Sequence, residues 1–336
     1  MRLWDRYRLR VRRKRLRVRA LRKGRELTPV RVHPTLIGAA QVTLSATVRN
    51  ERLRLPYFFD YYRKLGIGHF LIVDNGSDDG TGEWLAAQPD VSVWRATASY
   101  SSSRFGVDWI NALLARYRHG RWSLVVDIDE FLIFPFCDTR PIDALTDWLD
   151  SYAVRSFPAM MVDMYPKGAV AARPYREGQD PFEIACWFDS ANYMISRNQL
   201  YGNLWIQGGP RARAFFADRP EAAPSLNKIP LVKWDRRFVY VNSTHMLLPR
   251  SLNLTYDTAG GEMISGCLLH AKFLSVFAEK VAEEMERAEH FGQSREYRAY
   301  AAASPDQTDL WCKWSEKYIN WRQMEILGLM SKGNWA

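Results

Sequence analysis

Two carboxylates, Asp127 and Asp129, stand two residues apart directly after the apolar run Leu124, Val125 and Val126. Side chains two apart on a strand point to the same face, so the spacing predicts that both converge on one cation, or on one cation and a ribose. Carboxylate oxygens suit Mg²⁺ or Mn²⁺, and such ions often leave positions open for phosphate oxygens. The pair therefore predicts a site for metal-bound phosphate. The alternative is two solvated carboxylates in a turn.

Strands and helices alternate along the chain before this pair. Apolar runs predict strands at residues 41–48, 69–73 and 91–95, and a fourth strand leading into the acidic pair. Apolar residues at helical spacing predict helices at 55–65, 83–87 and 109–117. This alternation predicts an α/β fold with a mostly parallel sheet, in which ligands bind beyond the carboxyl ends of the strands.

Polar residues follow the first two predicted strands at those carboxyl ends. Asn50 and Glu51 follow the first strand, while Asp74, Asn75 and Asp79 follow the second. Their side chains could hydrogen-bond a base or a ribose, and the glycines among them allow sharp turns. We expect these five residues to contact a nucleotide donor. The alternative is a polar turn held by its own side chains.

The ordered series of motifs carries a resemblance to a known group of enzymes. The chain contains TVRNE, then VDNGSDDGT, then VVDIDEFL. This series resembles nucleotide-sugar glycosyltransferases of the GT-A fold, in the family 2-like group that shares a D-x-D-E-F segment, and it is similar to family 92. The resemblance covers residues 41 to about 277. It implies a GT-A (Rossmann-like) α/β fold, with a mixed, mostly parallel sheet flanked by helices and followed by C-terminal helices.

The resemblance also implies a cofactor, a donor and an acceptor. The cofactor is Mn²⁺ or Mg²⁺, bound directly by Asp129, while Asp127 shares the ion or the ribose. His270 closes the metal shell, although a histidine in an apolar run is also typical of a hydrogen-bonded core residue. The donor is a nucleoside diphosphate sugar and the acceptor is a carbohydrate or a glycolipid. A cation that stabilises the leaving diphosphate fits this chemistry.

Two cationic residues are candidates for contacts to the diphosphate or the acceptor. Arg211 offers a planar fork and Lys228 a compact charge to phosphate oxygens. Gly208 and Gly209 precede Arg211, and we expect them to let the backbone approach a ligand closely. The alternative for both cations is ordinary surface charge.

An inverting transfer needs a carboxylate that takes the proton from the acceptor hydroxyl. Asp163 and Asp189 are the catalytic candidates because both stand in apolar surroundings that could raise a carboxyl pKa. Each could equally be a structural hydrogen-bond acceptor. We expect an inverting, hexosyltransferase-like reaction, and a retaining outcome stays open.

The positive charge of the chain is concentrated at its start. Residues 1–33 carry twelve Arg and two Lys against two acidic residues, a balance of +12, so the rest of the chain carries about −2 of the net +10. Apolar side chains are interleaved with the arginines, as in a basic segment that lies on an anionic membrane surface. A disordered tail and a nucleic-acid-binding tail are the alternatives.

The charge distribution, the motifs and the apolar spacing together divide the chain into three predicted parts. Residues 1–33 are the basic tail, and residues 34–277 are the transferase domain, with a nucleotide-binding half at 34–135 and an acceptor half at 136–277. Residues 278–336 are a helical extension, in which apolar spacing predicts helices near 277–285 and 311–321.

The spacing of the cysteines and the absence of targeting patterns predict where the protein is found in the cell. The cysteines, at 137, 186, 267 and 312, are far apart and form no C-x-x-C pair, which favours a reducing cytoplasm. There is no signal-peptide pattern and no apolar run of membrane-spanning length. We expect a cytoplasmic protein, peripheral at the inner face of a bacterial membrane, with a role in polysaccharide synthesis.

Two rival functions are considered against the transferase. A haloacid-dehalogenase-type phosphatase also begins its site with D-x-D at a strand end, but that motif normally continues with Thr or Val, where this chain has Glu130 and Phe131. A non-enzymatic binder of nucleic acid or membrane could use the basic tail alone. Nucleic acid is the weaker of these partners, because acidic strand ends repel phosphates unless a cation intervenes.

Overall fold

The computed structural model describes residues 2–256, 263–287, 291–304 and 307–336, and the side chains among these other than those of 287 and 291–295. The helices are α1 (Leu3–Lys23), α2 (Pro34–Ala39), α3 (Leu55–Leu65), α4 (Thr81–Ala87), α5 (Val107–Tyr117), α6 (Ile142–Ser151), α7 (Gly209–Phe215), α8 (Phe277–Arg287), α9 (Phe291–Ala302) and α10 (Trp321–Ile326). The strands are β1 (Thr28–Arg31), β2 (Val42–Val48), β3 (His69–Asp74), β4 (Val91–Arg95), β5 (Trp122–Val125), β6 (Glu130–Ile133), β7 (Ser156–Asp163), β8 (Trp187–Asp189), β9 (Tyr193–Arg197), β10 (Leu204–Gly208), β11 (Asn227–Lys233), β12 (Val239–Asn242), β13 (Met246–Leu248), β14 (Gly266–His270) and β15 (Ser315–Lys317).

Within the described residues, nine strands form one sheet in the order β1-β4-β3-β2-β5-β11-β7-β14-β6. The block from β4 to β5 is parallel, and β7 and β14 run in the same direction as that block. The strands β1, β11 and β6 run in the opposite direction. The sequence prediction of a mixed, mostly parallel α/β sheet is confirmed.

Helices cover both faces of this sheet, and the alternation of side chains along β3 shows how. Phe70 and Ile72 belong to one core cluster, which α3 and α6 cover, while Leu71 and Val73 belong to a second cluster, which α5 covers. A strand buried on both faces is typical of a parallel sheet. Helix α3 ends at Gly66, whose φ of 101° is the left-handed conformation that favours glycine.

The basic N-terminal segment is helical and packed, so the disordered alternative does not describe it. Leu9 and Ala20 of α1 are buried, and Arg19 forms an ion pair of 2.7 Å with Asp108 of α5. Strand β1 pairs with β4, so the central sheet begins inside the segment assigned to the tail. No helix in the described part of the chain is both long enough and apolar enough to cross a bilayer.

The C-terminal segment is less helical than its apolar spacing predicts. Helix α8 lies where a helix was expected, but the prediction of helix through residues 311–318 is wrong, because β15 is extended there and pairs with β8. Trp321 and Trp335 pack against Phe136 and belong to the main core cluster. Residues 288–290 and 305–306 of the predicted extension lie outside the described residues.

Candidate functional site

A cleft of about 620 Å³ opens at the carboxyl ends of the central strands. Its walls include Arg49 after β2, Asn75 after β3 and Asp127 after β5, with His270 at the end of β14. The polar residues that the sequence places at separate strand ends therefore meet at one edge of the sheet. A cleft of this size is typical of a small-molecule site.

Asp127 and Asp129 lie in the short turn between β5 and β6 rather than on a strand. The alternation of side chains along a strand is therefore the wrong reason for expecting them to converge. The turn leaves the Asp127 side chain 57% exposed, whereas that of Asp129 is 23% exposed. Both residues line the cleft.

His270 is positioned by the pairing of three strands. In the register of the sheet it lies opposite Asp163 of β7 and opposite Glu130 of β6. The backbone N–H of Ala271 also donates to the carbonyl oxygen of Asp129 at 2.7 Å. Strand pairing thus places the imidazole beside the acidic turn.

The ring of His270 lies between two carboxylates. Its Nδ1 is 2.6 Å from Oδ1 of Asp163, and its Nε2 is 3.3 Å from Oδ2 of Asp129. Burial lowers the pKa of His270, but the charges and hydrogen bonds of Asp129 and Asp163 outweigh that effect and raise the pKa to about 9. Burial likewise raises the pKa of Asp129, and the His270 imidazolium overrides it and lowers that pKa far below its usual range. The charged imidazole therefore directs one N–H toward each carboxylate, Nδ1 toward Asp163 and Nε2 toward Asp129.

Arg211 is buried on the other side of Asp163. Its Nε donates to Oδ2 of Asp163 at 2.7 Å, and its Nη1 lies 3.2 Å from Oε1 of Glu296 on α9. The same Glu296 oxygen accepts from Nζ of Lys272 at 3.2 Å. Burial raises the pKa of Asp163, and the charge of Arg211 and the bond from His270 reverse the effect, so that the pKa is lowered. A continuous chain of charged groups therefore runs from Lys272 to Asp129.

The glycines before Arg211 have a structural role. A Cβ on Gly208 would lie 2.3 Å from the backbone oxygen of Asn192, and the φ of Gly208 is 145°. The backbone that approaches closely is that of Asn192 and Tyr193, at the start of β9, the hairpin partner of β10, and not that of a ligand. The close approach at Gly208 is therefore to the protein's own backbone, and Arg211 itself lines the cleft.

Lys228 of β11 contacts two acidic residues, Asp127 and Glu130. Its Nζ lies 3.1 Å from Oδ2 of Asp127, and it also donates to Oε1 of Glu130. Burial raises the pKa of Glu130, and the charge of Lys228 opposes that shift without cancelling it. Lys228 thus holds Glu130 inside the protein while leaving much of Asp127 exposed to the cleft.

The residues predicted as donor contacts divide into two groups. Glu51 and Asn75 line the cleft. Asp74 and Asp79 do not line it. Their side chains instead accept hydrogen bonds within the loop after β3, from the N–H groups of residues 77 and 81. Asn50 accepts from the N–H of residue 78 at 3.0 Å and also stays outside the lining. For Asp74, Asp79 and Asn50 the structure matches the polar-turn alternative.

Neither predicted catalytic carboxylate faces the cleft. Asp163 has a fully buried side chain that binds Arg211 and His270. Asp189 on β8 binds the guanidinium of Arg213 at 2.7 Å and accepts from the hydroxyl of Tyr165. Both carboxylates act as structural acceptors here, and neither lines the cleft.

Several residues of the cleft were missed by the sequence analysis. Lys280 on α8 donates to the backbone oxygens of Arg49 and Asn50, and Lys272 follows the predicted histidine by two positions. Glu296 lies on α9, where no motif marks it. Glu130 could have been found, because it directly follows the acidic pair in the motif that carries the resemblance.

The metal prediction was compared with the donor atoms that the cleft provides. Asp129 and His270 present an oxygen and a nitrogen 3.3 Å apart, which are suitable donor types for Mn²⁺. Among the described residues, no group of three His, Cys, Asp or Glu side chains is arranged to hold a metal ion. The donor set therefore fits a cation with few protein ligands, whose other positions would be filled by phosphate and water.

Comparison with known proteins supports the resemblance seen in the sequence. Over 125 residues the chain is 28% identical to a glycosyltransferase family 92 protein of Oryza sativa subsp. japonica. The chain is similar to a family 92 glycosyltransferase. The matched segment is 35% of this chain and only 19% of the rice protein, so the chain spans about a fifth of its relative. No family model matches the chain.

Solved structures give only weak likenesses. A putative glucose-1-phosphate thymidylyltransferase from Bacillus anthracis is 10% identical with a TM-score of 0.35, covering 76% of this chain and 99% of that one. A UDP-glucose pyrophosphorylase from Acinetobacter baumanii is 11% identical with a TM-score of 0.27, covering 80% and 84%. A 4-diphosphocytidyl-2C-methyl-D-erythritol synthase is 16% identical with a TM-score of 0.23, covering 41% and 65%. At these TM-scores the likenesses carry no argument about what the chain does.

Proposed function

We propose that the chain is a metal-dependent glycosyltransferase that moves a sugar from a nucleoside diphosphate sugar to a carbohydrate or glycolipid acceptor. The observation that carries the proposal is the meeting of Asp129 and His270, 3.3 Å apart, beside Asp127 in a cleft at the carboxyl ends of the strands. Ligands of open α/β sheets bind at this edge. The similarity to a family 92 glycosyltransferase agrees with it.

The charge of the cleft supports a requirement for a cation. Among the described lining residues, eight carboxylates stand against five Lys or Arg side chains. An acidic cleft repels a diphosphate unless a cation intervenes. Lys272, Lys280 and Arg49 lie at the cleft surface and would bind phosphate oxygens through charge-assisted hydrogen bonds.

Asp129 and His270, with Asp127 beside them, would hold Mn²⁺ or Mg²⁺. When bound, the cation would offset the negative charge that develops on the leaving diphosphate. His270 must lose its Nε2 proton to act as a ligand, while Asp163 keeps its hold on Nδ1 and so fixes the orientation of the ring. Arg211 in turn fixes Asp163. An inverting outcome and a hexosyl donor are part of the proposal and rest on the resemblance alone.

We also propose that the protein works at an anionic membrane surface on the cytoplasmic side. Helix α1 docks on the domain through Leu9 and Ala20, while Leu3, Tyr7 and Leu21 remain largely exposed on the outward side, together with many arginines. At 3.6 residues per turn, positions 3, 7 and 21 fall on one face. A basic helix with exposed apolar and aromatic residues is typical of interfacial binding.

The test is a screen of nucleotide sugars with and without Mn²⁺, measured by thermal shift and calorimetry and followed by assays of donor hydrolysis and acceptor transfer. A donor that binds the folded state raises the melting temperature. We expect at least one donor to bind only with Mn²⁺, and Asp129→Asn to abolish that binding. The control is Asp60→Asn, which removes a carboxylate of α3 paired with an exposed lysine.

Two outcomes would contradict the proposal. The first is a complete absence of Mn²⁺-dependent donor binding across the screen, and the second is full donor affinity in Asp129→Asn. Hydrolysis of an aryl phosphate that depends on Asp127 would favour the phosphatase alternative. Binding of nucleic acid without any donor binding would favour the binder alternative.

A further inference from the structure

A second cleft, of about 730 Å³, lies between α1 and α5. It shares no lining residue with the cleft at the strand ends, as far as the described residues show. The glycosyl transfer proposed above therefore does not use it. Its size is within the range typical of small-molecule sites.

The floor of this second cleft is apolar. Trp94 of β4, Leu113 of α5 and Phe238 before β12 line it, and each is less than 10% exposed. Asn111 also lines it, but both ends of its amide are already bonded to the backbone of Tyr240. The floor therefore suits a hydrocarbon chain rather than a polar ligand.

Arginines surround this apolar floor. Arg17, Arg25, Arg116 and Arg236 line the cleft, and within the described ranges none of these guanidinium groups has a carboxylate at ion-pair distance. No acidic residue occurs among its described lining residues. Burial and the charges of Arg17, Arg10 and Arg237 lower the pKa of the nearby Arg13, and the charge of Asp235 opposes them in part. The rim is therefore complementary to an anion.

The cleft continues into the outward face of α1. Leu21 lines the cleft and is 63% exposed, and Arg17 lies one turn before it on the same helix. Arg17 also donates from Nε to the backbone oxygen of Arg236 at 3.0 Å, which ties the helix to the opposite rim. Leu21 thus belongs both to the outer face of α1 and to the lining of the cleft.

We propose that the cleft between α1 and α5 binds an anionic phospholipid, with an acyl chain on the floor formed by Trp94, Leu113 and Phe238 and the headgroup phosphate among the four arginines of the rim. Arg forks match phosphate oxygens geometrically. The proposed lipid site is separate from the cleft proposed for glycosyl transfer. A negative result for either proposal therefore leaves the other untouched. Its occupant is a single lipid, whereas the outward face of α1 meets a bilayer surface.

The experiment uses the full chain and dioctanoyl phosphatidylglycerol, with dioctanoyl phosphatidylcholine and dodecanoate as comparison ligands, all below their micelle concentrations. Calorimetry gives the stoichiometry and affinity. We expect one phosphatidylglycerol per chain, bound at least tenfold more tightly than either comparison ligand.

Two variants locate the site. The double variant Arg25→Gln and Arg116→Gln removes half of the rim charge, and the matched control is Arg173→Gln with Arg176→Gln, two exposed arginines outside both clefts. Ala115→Phe places a ring in the cleft from α5. We expect the first double variant and Ala115→Phe each to weaken binding at least tenfold, and the control to leave it unchanged.

Four results would overturn the proposal. The first two are the absence of saturable phosphatidylglycerol binding and an equal affinity for phosphatidylcholine. The third is an equal loss of phosphatidylglycerol affinity in the control double variant. The fourth is tighter binding of dodecanoate, which would assign the cleft to a free fatty acid. If Ala115→Phe lowers the melting temperature strongly, the comparison of the two arginine double variants alone decides the matter.

Discussion

His270 and Asp163 are hydrogen-bonded at 2.6 Å and lie opposite each other in the register of β14 and β7. The bond is therefore set by strand pairing and not by a flexible loop. Asp163 also binds Arg211, so one buried carboxylate fixes both an imidazole and a guanidinium that reach the cleft. This arrangement makes Asp163 a positioning residue.

The first prediction concerns that carboxylate. Asp163→Asn removes the negative charge between two buried cations, and breaking a buried ion pair in this way costs about 3–5 kcal/mol in the free energy of unfolding. Denaturant titration measures the loss. Asp60→Asn, whose Lys64 partner is 76% exposed, should cost less than about 1 kcal/mol. Equal losses in the two variants would show that Asp163 does not hold the buried charges.

The second prediction concerns the proposed metal ligand. His270→Gln removes the ring nitrogen that lies 3.3 Å from Oδ2 of Asp129, and we expect the Mn²⁺ concentration needed for half-maximal donor binding to rise at least tenfold, in line with loss of a metal ligand or its orienting partner. Calorimetry of donor binding over a range of Mn²⁺ concentrations checks this. His119→Gln, at an exposed histidine, is the control. An unchanged Mn²⁺ titration in His270→Gln would remove His270 from the metal site.

The third prediction concerns Lys228 and Glu130. Lys228→Met leaves the buried carboxylate of Glu130 without its cation, so we expect a loss of about 3–5 kcal/mol in the free energy of unfolding. Adding Glu130→Gln should recover part of that loss, giving a coupling energy of about 1–3 kcal/mol in a double-mutant cycle. The surface pair Asp60 and Lys64 should give a coupling below about 0.5 kcal/mol. Additive effects of Lys228→Met and Glu130→Gln would contradict a buried ion pair.

The fourth prediction is a dependence of stability on pH. His69 is buried at the start of β3, and burial lowers its pKa to about 4. Because the unfolded chain binds the proton near pH 6.5 and the folded chain does not, stability falls as the pH drops from about 6.5 to about 4. His245, with a pKa also lowered to about 4, acts in the same direction.

Thermal unfolding across this pH range measures the effect. In His69→Asn the decline should be shallower by the contribution of one proton, about 1.4 kcal/mol per pH unit at most. His119→Asn, at an exposed position, is again the substitution control. An unaltered slope in His69→Asn would mean that His69 binds its proton equally well in both states.

Sequence patterns could predict the first half of the sheet because its information is local. Alternating strands and helices define the parallel block from β4 to β5, and polar residues directly follow those strands. The second half depends on pairings between distant segments, such as β6 with β14, and no local pattern fixes their register. For the same reason the local pattern did not show where β5 ends, and Asp127 and Asp129, expected on a strand, lie in a turn.

The same limit applies to the catalytic candidates. An apolar surrounding marks Asp163 and Asp189 as buried, but it cannot show that Arg211 and Arg213 bind them. Burial beside a cation gives a structural acceptor, whereas burial without one gives a candidate base. Ion pairs between residues far apart in the sequence decide between these outcomes.

The last prediction concerns α1, which composition alone assigns to a tail. Leu9 is 6% exposed and shares a buried cluster with Val239 of β12 and Met246 of β13, while Leu3 of the same helix is 81% exposed. Leu9→Ala should therefore cost about 2 kcal/mol or more in the free energy of unfolding, and Leu3→Ala almost nothing. Hydrogen exchange over residues 3–23 should accelerate in Leu9→Ala alone. Equal exchange in the two variants would mean that α1 does not pack on the domain. If the expected difference is found, deleting residues 1–33 would also disturb the buried core that α1 covers.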